Sequence, residues 1–154
     1  MPRVVIETLR SLKEFEGKEI AVTDWIPMTQ ERIRQFADAT EDHQWIHVDS
    51  ERARRESPYG ATIAHGFLTL SLLGYFLRQA IELPPDVRWT VNYGLNRVRF
   101  PAPVRAGARI RARIALQSMK EISGGVEAIF AITVEVEGSE KPGCAAEWIV
   151  RYYR

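Results

Sequence analysis

The sequence predicts an α+β fold in which a curved antiparallel sheet wraps around one long central helix. Three observations lead there. One strand pattern is followed by helices, and then by four long runs that alternate apolar and polar residues. Residues 66–83 form a helical stretch that is apolar on nearly every side, so it needs burial almost all round. The chain of 154 residues suits one domain, spanning 1–154, and has no repeat, low-complexity tract or linker. An antiparallel sheet has an apolar face to cover, and that helix is the element available to cover it.

Residues 7–16 read as a short, weakly amphipathic helix ended by Gly17, and 19–26 as a strand stopped by Pro27. Thr29 is an N-cap without a capping box, because Arg32 holds the third helical position; the helix it starts extends to residue 39 with Ile33, Phe36 and Ala37 inward. After a polar segment over 40–49, Ser50 is expected to cap a charged surface helix over 51–56, and Pro58, Tyr59 and Gly60 form a turn. Pro84 and Pro85 end the long helix. Over 89–100, Trp89, Val91, Tyr93 and Leu95 share one face. Val98 and Phe100 have the opposite phase, which predicts a bulge near Asn96 and Arg97. Three further runs each gather one apolar face: Ile110 to Leu116, Ala128 to Val136, and Cys144 to Tyr152.

Composition excludes several classes. A net charge of +1 gives no general attraction to nucleic acid or membrane. The N-terminus lacks the apolar core of a signal peptide, and Arg78, Gln79 and Glu82 interrupt the most apolar run, so no membrane span is expected. The single cysteine, Cys144, excludes an internal disulfide framework and fits a reducing cytoplasm; it sits in a strand pattern as a small core residue. The stripe Arg109, Arg111 and Arg113 reads as a solvated sheet face.

The chemistry-bearing residues lie between 42 and 66. Asp42 and His47 sit five apart in the polar segment, and a carboxylate with an imidazole can share proton transfer near neutral pH. His65 and Gly66 open the long helix, where a glycine can offer a bare N–H to a developing oxyanion. Taken alone, Asp42 is more often a capping or turn carboxylate, and Gly66 a cap or close-packing residue. His43 and His47 have chelating spacing, but no third ligand is placed, so no metal is expected.

These residues together resemble one family. D-H-Q-W-I-H (Asp42 to His47), I-A-H-G-F-L-T-L-S-L-L after it, and N-Y-G-L-N-R-V-R-F-P-A-P-V (Asn92 to Val104) are similar to the MaoC-like (R)-specific enoyl-CoA hydratase/dehydratase family of the hotdog fold, most closely its nodulation-protein-N-like branch. Two features depart from the family pattern. Gln44 and Trp45 replace the usual Asn and Pro, and Gly74 stands where some members carry a serine that bonds the catalytic acid, leaving Ser71 one turn earlier as a substitute.

The resemblance implies a hydro-lyase that hydrates trans-2-enoyl-CoA reversibly to (3R)-3-hydroxyacyl-CoA. Asp42 and His47 would hold the water, and the Gly66 amide would polarise the thioester carbonyl. It further implies an acyl-CoA substrate, no cofactor, and a homodimer joined edge to edge. Trp45, Leu68 and Leu72 are expected to bear on acyl length, with Ser71 nearby and His65 shaping the helix entrance. Two other readings stand beside it: an acyl-CoA thioesterase, opposed by the absence of an acid over 67–77, and a non-catalytic acyl-thioester-binding module, opposed by the intact Asp42/His47 pair.

Overall fold

The computed structural model describes residues 1–154. Its core is a sheet with strand order β2-β6-β7-β8-β5, formed by β2 (Lys18–Val22), β5 (Trp89–Arg99), β6 (Arg109–Ile122), β7 (Gly125–Val136) and β8 (Cys144–Tyr153), with β3 (Ile26–Pro27) also paired to β6. All these pairings are antiparallel. The inner faces follow the period-two pattern: Ile110, Ala112, Ile114 and Leu116 are fully buried, as are Ala128, Phe130, Val134, Cys144 and Val150. The opposite face of β6 carries paired charge. Arg109 meets Glu137, Arg111 meets Glu135, and Arg113 reaches both Glu135 and Glu19. The arginine stripe is therefore a ladder of ion pairs on the solvated face.

The apolar helix lies against the inner face but is broken in two, α4 (Gly66–Ser71) and α5 (Leu73–Ala80). Leu72 joins them with φ −77° and ψ −8°, and its N–H is shared between Leu68 O and Thr69 O. The Ser71 hydroxyl donates back to Phe67 O at 2.7 Å, a bond that competes with the helix ladder and favours a bend there. The expected continuous helix to residue 83 is corrected at its far end too. It stops at Ala80, and β4 (Ile81–Glu82) pairs in parallel with β1 (Val4–Val5). The prolines at 84 and 85 follow that strand rather than ending the helix. Leu73, Phe76, Leu77 and Ala80 carry the burial of α5.

Other boundaries shift for local reasons. Residues 9–15 form a 3-10 helix, with Thr8 and Ser11 capping each other and Leu9 and Leu12 buried at its three-residue period. The first strand divides at Thr23, whose hydroxyl accepts the Ala112 N–H in place of a ladder carbonyl. Helix α1 (Gln30–Thr40) starts at Thr29 as expected, with Ile33 and Ala37 buried. After α2 (Trp45–Val48), the cap of α3 (Ser50–Glu56) is Asp49, which accepts from Arg52 N, and not Ser50.

Strand β5 departs furthest from expectation. The register slips between Leu95 and Arg97, where a bulge was anticipated, and again between Asn92 and Gly94. The second slip changes the facing. Leu95 opposes Trp148 and Asn92 opposes Val150, both inner-face residues, whereas Trp89 and Val91 oppose Tyr153 and Arg151. Trp89, Val91, Tyr93 and Leu95 thus do not share one face. All four are exposed, and β5 is the last strand of the sheet.

Candidate active site

Helix α1 ends at Thr40, and its C-cap Glu41 adopts the left-handed conformation, φ 60° and ψ 21°. A side-chain-bearing residue there costs about 1–2 kcal/mol, so the turn is held by its surroundings. The turn delivers Asp42, whose carboxylate is half exposed and accepts from Gln44 N at 3.4 Å. Three residues later α2 brings in His47, which is buried. The His47 Nδ1–H donates to Ile63 O at 2.7 Å. That bond fixes the tautomer and leaves Nε2 with its lone pair free. Gln30 Nε2 donates to His47 O at 2.7 Å, and the buried Thr62 hydroxyl donates to Gln30 Oε1.

The strap carrying Ile63 is itself fixed. Ala64 N donates to Val104 O, Ala106 N to Thr62 O, and Ile63 N to Ile46 O. The P-A-P-V segment therefore has a mechanical part: it holds the carbonyl that orients His47. His65 follows directly on this strap, buried, with its ring stacked on that of His47 at 3.8 Å between centroids and 21° between planes. Its Nε2–H donates to the backbone oxygen of Asp42 at 3.0 Å. Gly66 then begins α4, and as the first helical residue its N–H has no intrahelical acceptor. A Cβ on Gly66 would lie 3.1 Å from the Phe100 ring, so any other residue there would push that wall back by a few tenths of an ångström.

These groups face one cleft of about 410 Å³, walled by Phe36, Phe67 and Phe100 and floored by Asp42, His47, His65 and Gly66. One donor atom from each of Asp42, His47 and His65 lies within 4.8 Å of the other two. Two hydrogen bonds of ~2.8 Å meeting at a tetrahedral oxygen span ~4.5 Å, which is within the scale of this cluster. Burial is the main influence on His47. It pushes the imidazole below its ordinary pKa of 6.5; His65 pushes in the same direction, while the Ile63 carbonyl and Asp42 oppose it. A neutral imidazole with a free Nε2 is a competent base at neutral pH.

As a metal site the cluster offers less. His65 Nε2 is committed to Asp42 O and its Nδ1 is buried, which leaves the Asp42 carboxylate and His47 Nε2 as donors open to the cleft, fewer than a zinc site ordinarily uses. His43 does not join them; its Nε2 pairs with Asp38 at 2.8 Å.

The remaining candidates are placed elsewhere. Trp45 stacks under the Arg52 guanidinium at 4.2 Å rather than lining the cleft. Leu68 is buried in the core, and Leu72 packs against it. Ser71 and Gly74 both line a different cleft, with Asn92, Arg78 and Trp148, and the Ser71 hydroxyl is bonded to Phe67 O. Sequence reasoning missed Gln30 and Thr62, which support His47, and Phe67, 69% exposed at the mouth of the cleft. An apolar side chain that exposed at the start of an otherwise buried helix had no periodic signal to reveal it.

A sequence model of the MaoC like domain matches residues 12–137. The chain belongs to the MaoC-like dehydratase family. It is 50% identical over 147 residues to 3-hydroxyacyl-thioester dehydratase Z of Mycobacterium tuberculosis, covering 95% of this chain and 96% of that protein. It is 44% identical over 134 residues to Nodulation protein N of Rhizobium leguminosarum bv. viciae, covering 86% of this chain and 83% of the relative. Among solved structures, the (R)-hydratase from A. caviae involved in PHA biosynthesis superposes with a TM-score of 0.70 at 21% identity, over 88% of this chain and 94% of that one. A monoamine oxidase regulatory protein from Archaeoglobus fulgius superposes at 0.77 over 100% and 99%. These likenesses show the hotdog fold, the curved sheet and central helix that the sequence predicted. This MaoC-like protein is a dehydratase, and so a hydro-lyase. No helix in it is long and apolar enough to cross a membrane.

Proposed function

We propose that the protein interconverts a trans-2-enoyl thioester and a (3R)-3-hydroxyacyl thioester, with coenzyme A as carrier and Asp42, His47 and Gly66 as the reacting groups. The observation that carries this reading is the juxtaposition in the cleft of a carboxylate, an imidazole with a free Nε2, and an unpaired helix-start N–H. Hydration requires proton removal from water, a bond from its oxygen to the β-carbon, and a proton delivered to the α-carbon. Charge gathers meanwhile on the thioester oxygen. The Asp42/His47 pair serves the two proton transfers, and the Gly66 N–H donates to the thioester oxygen as charge grows there, where a fixed donor is worth most. One relative is named a 3-hydroxyacyl-thioester dehydratase, and dehydration of a 3-hydroxyacyl thioester is the reverse of enoyl-thioester hydration.

The same reading takes the protein to be a homodimer formed through β5. That strand ends the sheet and exposes Trp89, Val91, Tyr93 and Leu95, an edge that would otherwise invite uncontrolled pairing. A second copy, laid antiparallel about a two-fold axis, would cover it on both sides of the joint. A reducing, cytoplasmic setting suits the single buried thiol, Cys144, whose pKa burial raises to about 11.

The test uses trans-2-enoyl-CoA substrates of several chain lengths. Absorbance of the conjugated enoyl thioester is followed beside free thiol, and the product is resolved on a chiral column. Loss of absorbance without thiol release, giving the (3R) product, is expected. Thiol release would replace the reading with a thioesterase, and binding without turnover at any length would replace it with an acyl-thioester-binding module.

A further inference from the structure

The proposed chemistry of the site assigns work to the acid, the histidine and the amide, but leaves His65 without a task. Its surroundings are unusual. The side chain is only 4% exposed, and Nε2 donates to Asp42 O at 3.0 Å. The ring lies flat on His47 and tilted against Phe36 at 5.0 Å. Its backbone oxygen accepts from Leu68 N at 3.0 Å and Thr69 N at 3.3 Å, so the same residue closes the first turn of α4 behind Gly66. One residue thus touches the segment bearing the acid, the ring of the base, and the helix start bearing the amide donor.

Its second nitrogen sharpens the point. Nδ1 is buried and has no hydrogen-bond partner. A buried acceptor without a partner is destabilising, and a phenylalanine of similar size would fill the space without that cost. Stability alone does not favour histidine here. What histidine adds over phenylalanine is the Nε2–H bond to the Asp42 backbone. What it adds over glutamine or asparagine is a flat ring against His47.

We propose that His65 is a positioning residue that locks Asp42, His47 and the Gly66 amide into one reacting geometry, holding Asp42 through its backbone and His47 through its ring. The inference rests on the proposed roles of those three groups. It makes separate claims for its two contacts. The hydrogen bond sets where the Asp42 carboxylate points. The stack keeps water from the face of His47 and holds the Nδ1–H on Ile63 O. The charged and titratable groups that face His47 are the Asp42 carboxylate and His65 itself; its other contacts, Ile63 O and Gln30, are uncharged.

Two variants separate the contacts. His65→Phe keeps the stack and removes the hydrogen bond; His65→Gln keeps an N–H donor and removes the ring. Two readouts are taken on full-length protein with circular dichroism as the folding control: steady-state kinetics on trans-2-enoyl-CoA, and titration of the His47 imidazole by nitrogen-15 NMR, which needs no substrate. Both variants are expected to lose at least tenfold in kcat with KM changed less than threefold. The His47 titration midpoint is expected to stay low in His65→Phe and to move up toward the ordinary histidine value in His65→Gln. A His47 midpoint equal in wild type and His65→Gln would overturn the inference, as would kcat within twofold of wild type in both variants. A wild type that turns over no enoyl thioester overturns the functional reading instead, while the titration still decides whether His65 sets the state of His47.

Discussion

Replacing Asp42 by Asn and His47 by Gln, singly and together, is the perturbation whose outcome the geometry constrains most. The stability cost is small in each case. The Asp42 carboxylate is half exposed and its one side-chain bond, from Gln44 N, can be accepted equally by an asparagine oxygen. The bond that His65 makes goes to the Asp42 backbone and is untouched by the substitution. Surface changes of this kind stay within about 0.5 kcal/mol. His47→Gln is made in a buried position, yet the glutamine amide retains a donor for Ile63 O, so a loss of about 1 kcal/mol is expected. The kinetic cost is larger. A positioned acid or base contributes about 10²–10⁴ in rate, or about 3–5 kcal/mol of barrier. If both residues hold the same water, the step fails once either is lost. The double variant should then lie within about tenfold of the worse single variant, because groups that act as a unit are not additive. The assay is loss of enoyl absorbance on trans-2-enoyl-CoA, with circular dichroism and thermal unfolding on the same preparations. Folded single variants with near-wild-type kcat would refute the pairing. A double variant whose loss equals the product of the two single losses would refute the shared water.

Two further outcomes follow. Because burial holds the folded-state pKa of His47 below 6.5, the imidazole remains a neutral base at pH values where a free histidine has become charged. The acid limb of log kcat/KM is expected below pH 6.5. The matching contribution to stability is complete above 6.5 and is lost as pH falls through the folded-state value, since the unfolded chain binds that proton first. An acid limb centred above 6.5 would contradict the burial argument. The second outcome concerns Tyr152, which is fully buried with its hydroxyl unpartnered, a situation that costs about 1–3 kcal/mol. Tyr152→Phe is expected to raise stability by about 1 kcal/mol, or about 2–4 °C in Tm for a chain of this size, and to leave kcat unchanged. A lower Tm would mean that the hydroxyl has a partner in solution.

The strands were legible because each obeys one local rule. Along β7 and β8, and along β6 as far as Leu116, every second residue is apolar, and every such residue from Ile110 to Leu116 is buried; a register shift after Leu116 then moves burial to Met119. Strand β5 breaks the rule twice, and only one slip left a trace in the pattern. The phase change at Val98 exposed the bulge at Asn96, whereas the slip after Asn92 is masked by exposed apolar residues on both sides of it. The helix break at Leu72 was hidden for the opposite reason: 66–80 is a favourable helical stretch, and the Ser71 back-bond beside the break has no signature in the apolar pattern. In the site, Asp42, His47, His65 and Gly66 could be listed from motif spacing, and they do converge on one cleft. What spacing could not supply was the support: the Ile63 carbonyl, Gln30 and Thr62 reach His47 by contacts that join residues 16 to 32 positions apart. Nor could it foresee that Trp45 turns toward Arg52.

That division of labour has a physical consequence. The polar groups of the cleft are held by hydrogen bonds among residues 30–66 and by one strap to Val104 and Ala106, while the large buried side chains of the core come mainly from β6, β7, β8 and α5. Removing a methylene from Ile114 or Phe130 would therefore weaken the fold without changing the direction of any donor in the cleft. Removing the hydroxyl of Thr62 would do the reverse, because it leaves Gln30 with one bond fewer while Gln30 holds the backbone of His47. The sheet makes the protein persist. The short polar segment between α1 and α4 sets where the carboxylate and the imidazoles stand in the cleft. Its accuracy comes from carbonyls at Ile63 and Asp42 that fix each imidazole in a single tautomer, so that one ring points a lone pair into the cleft and the other keeps its N–H turned toward the acid's backbone.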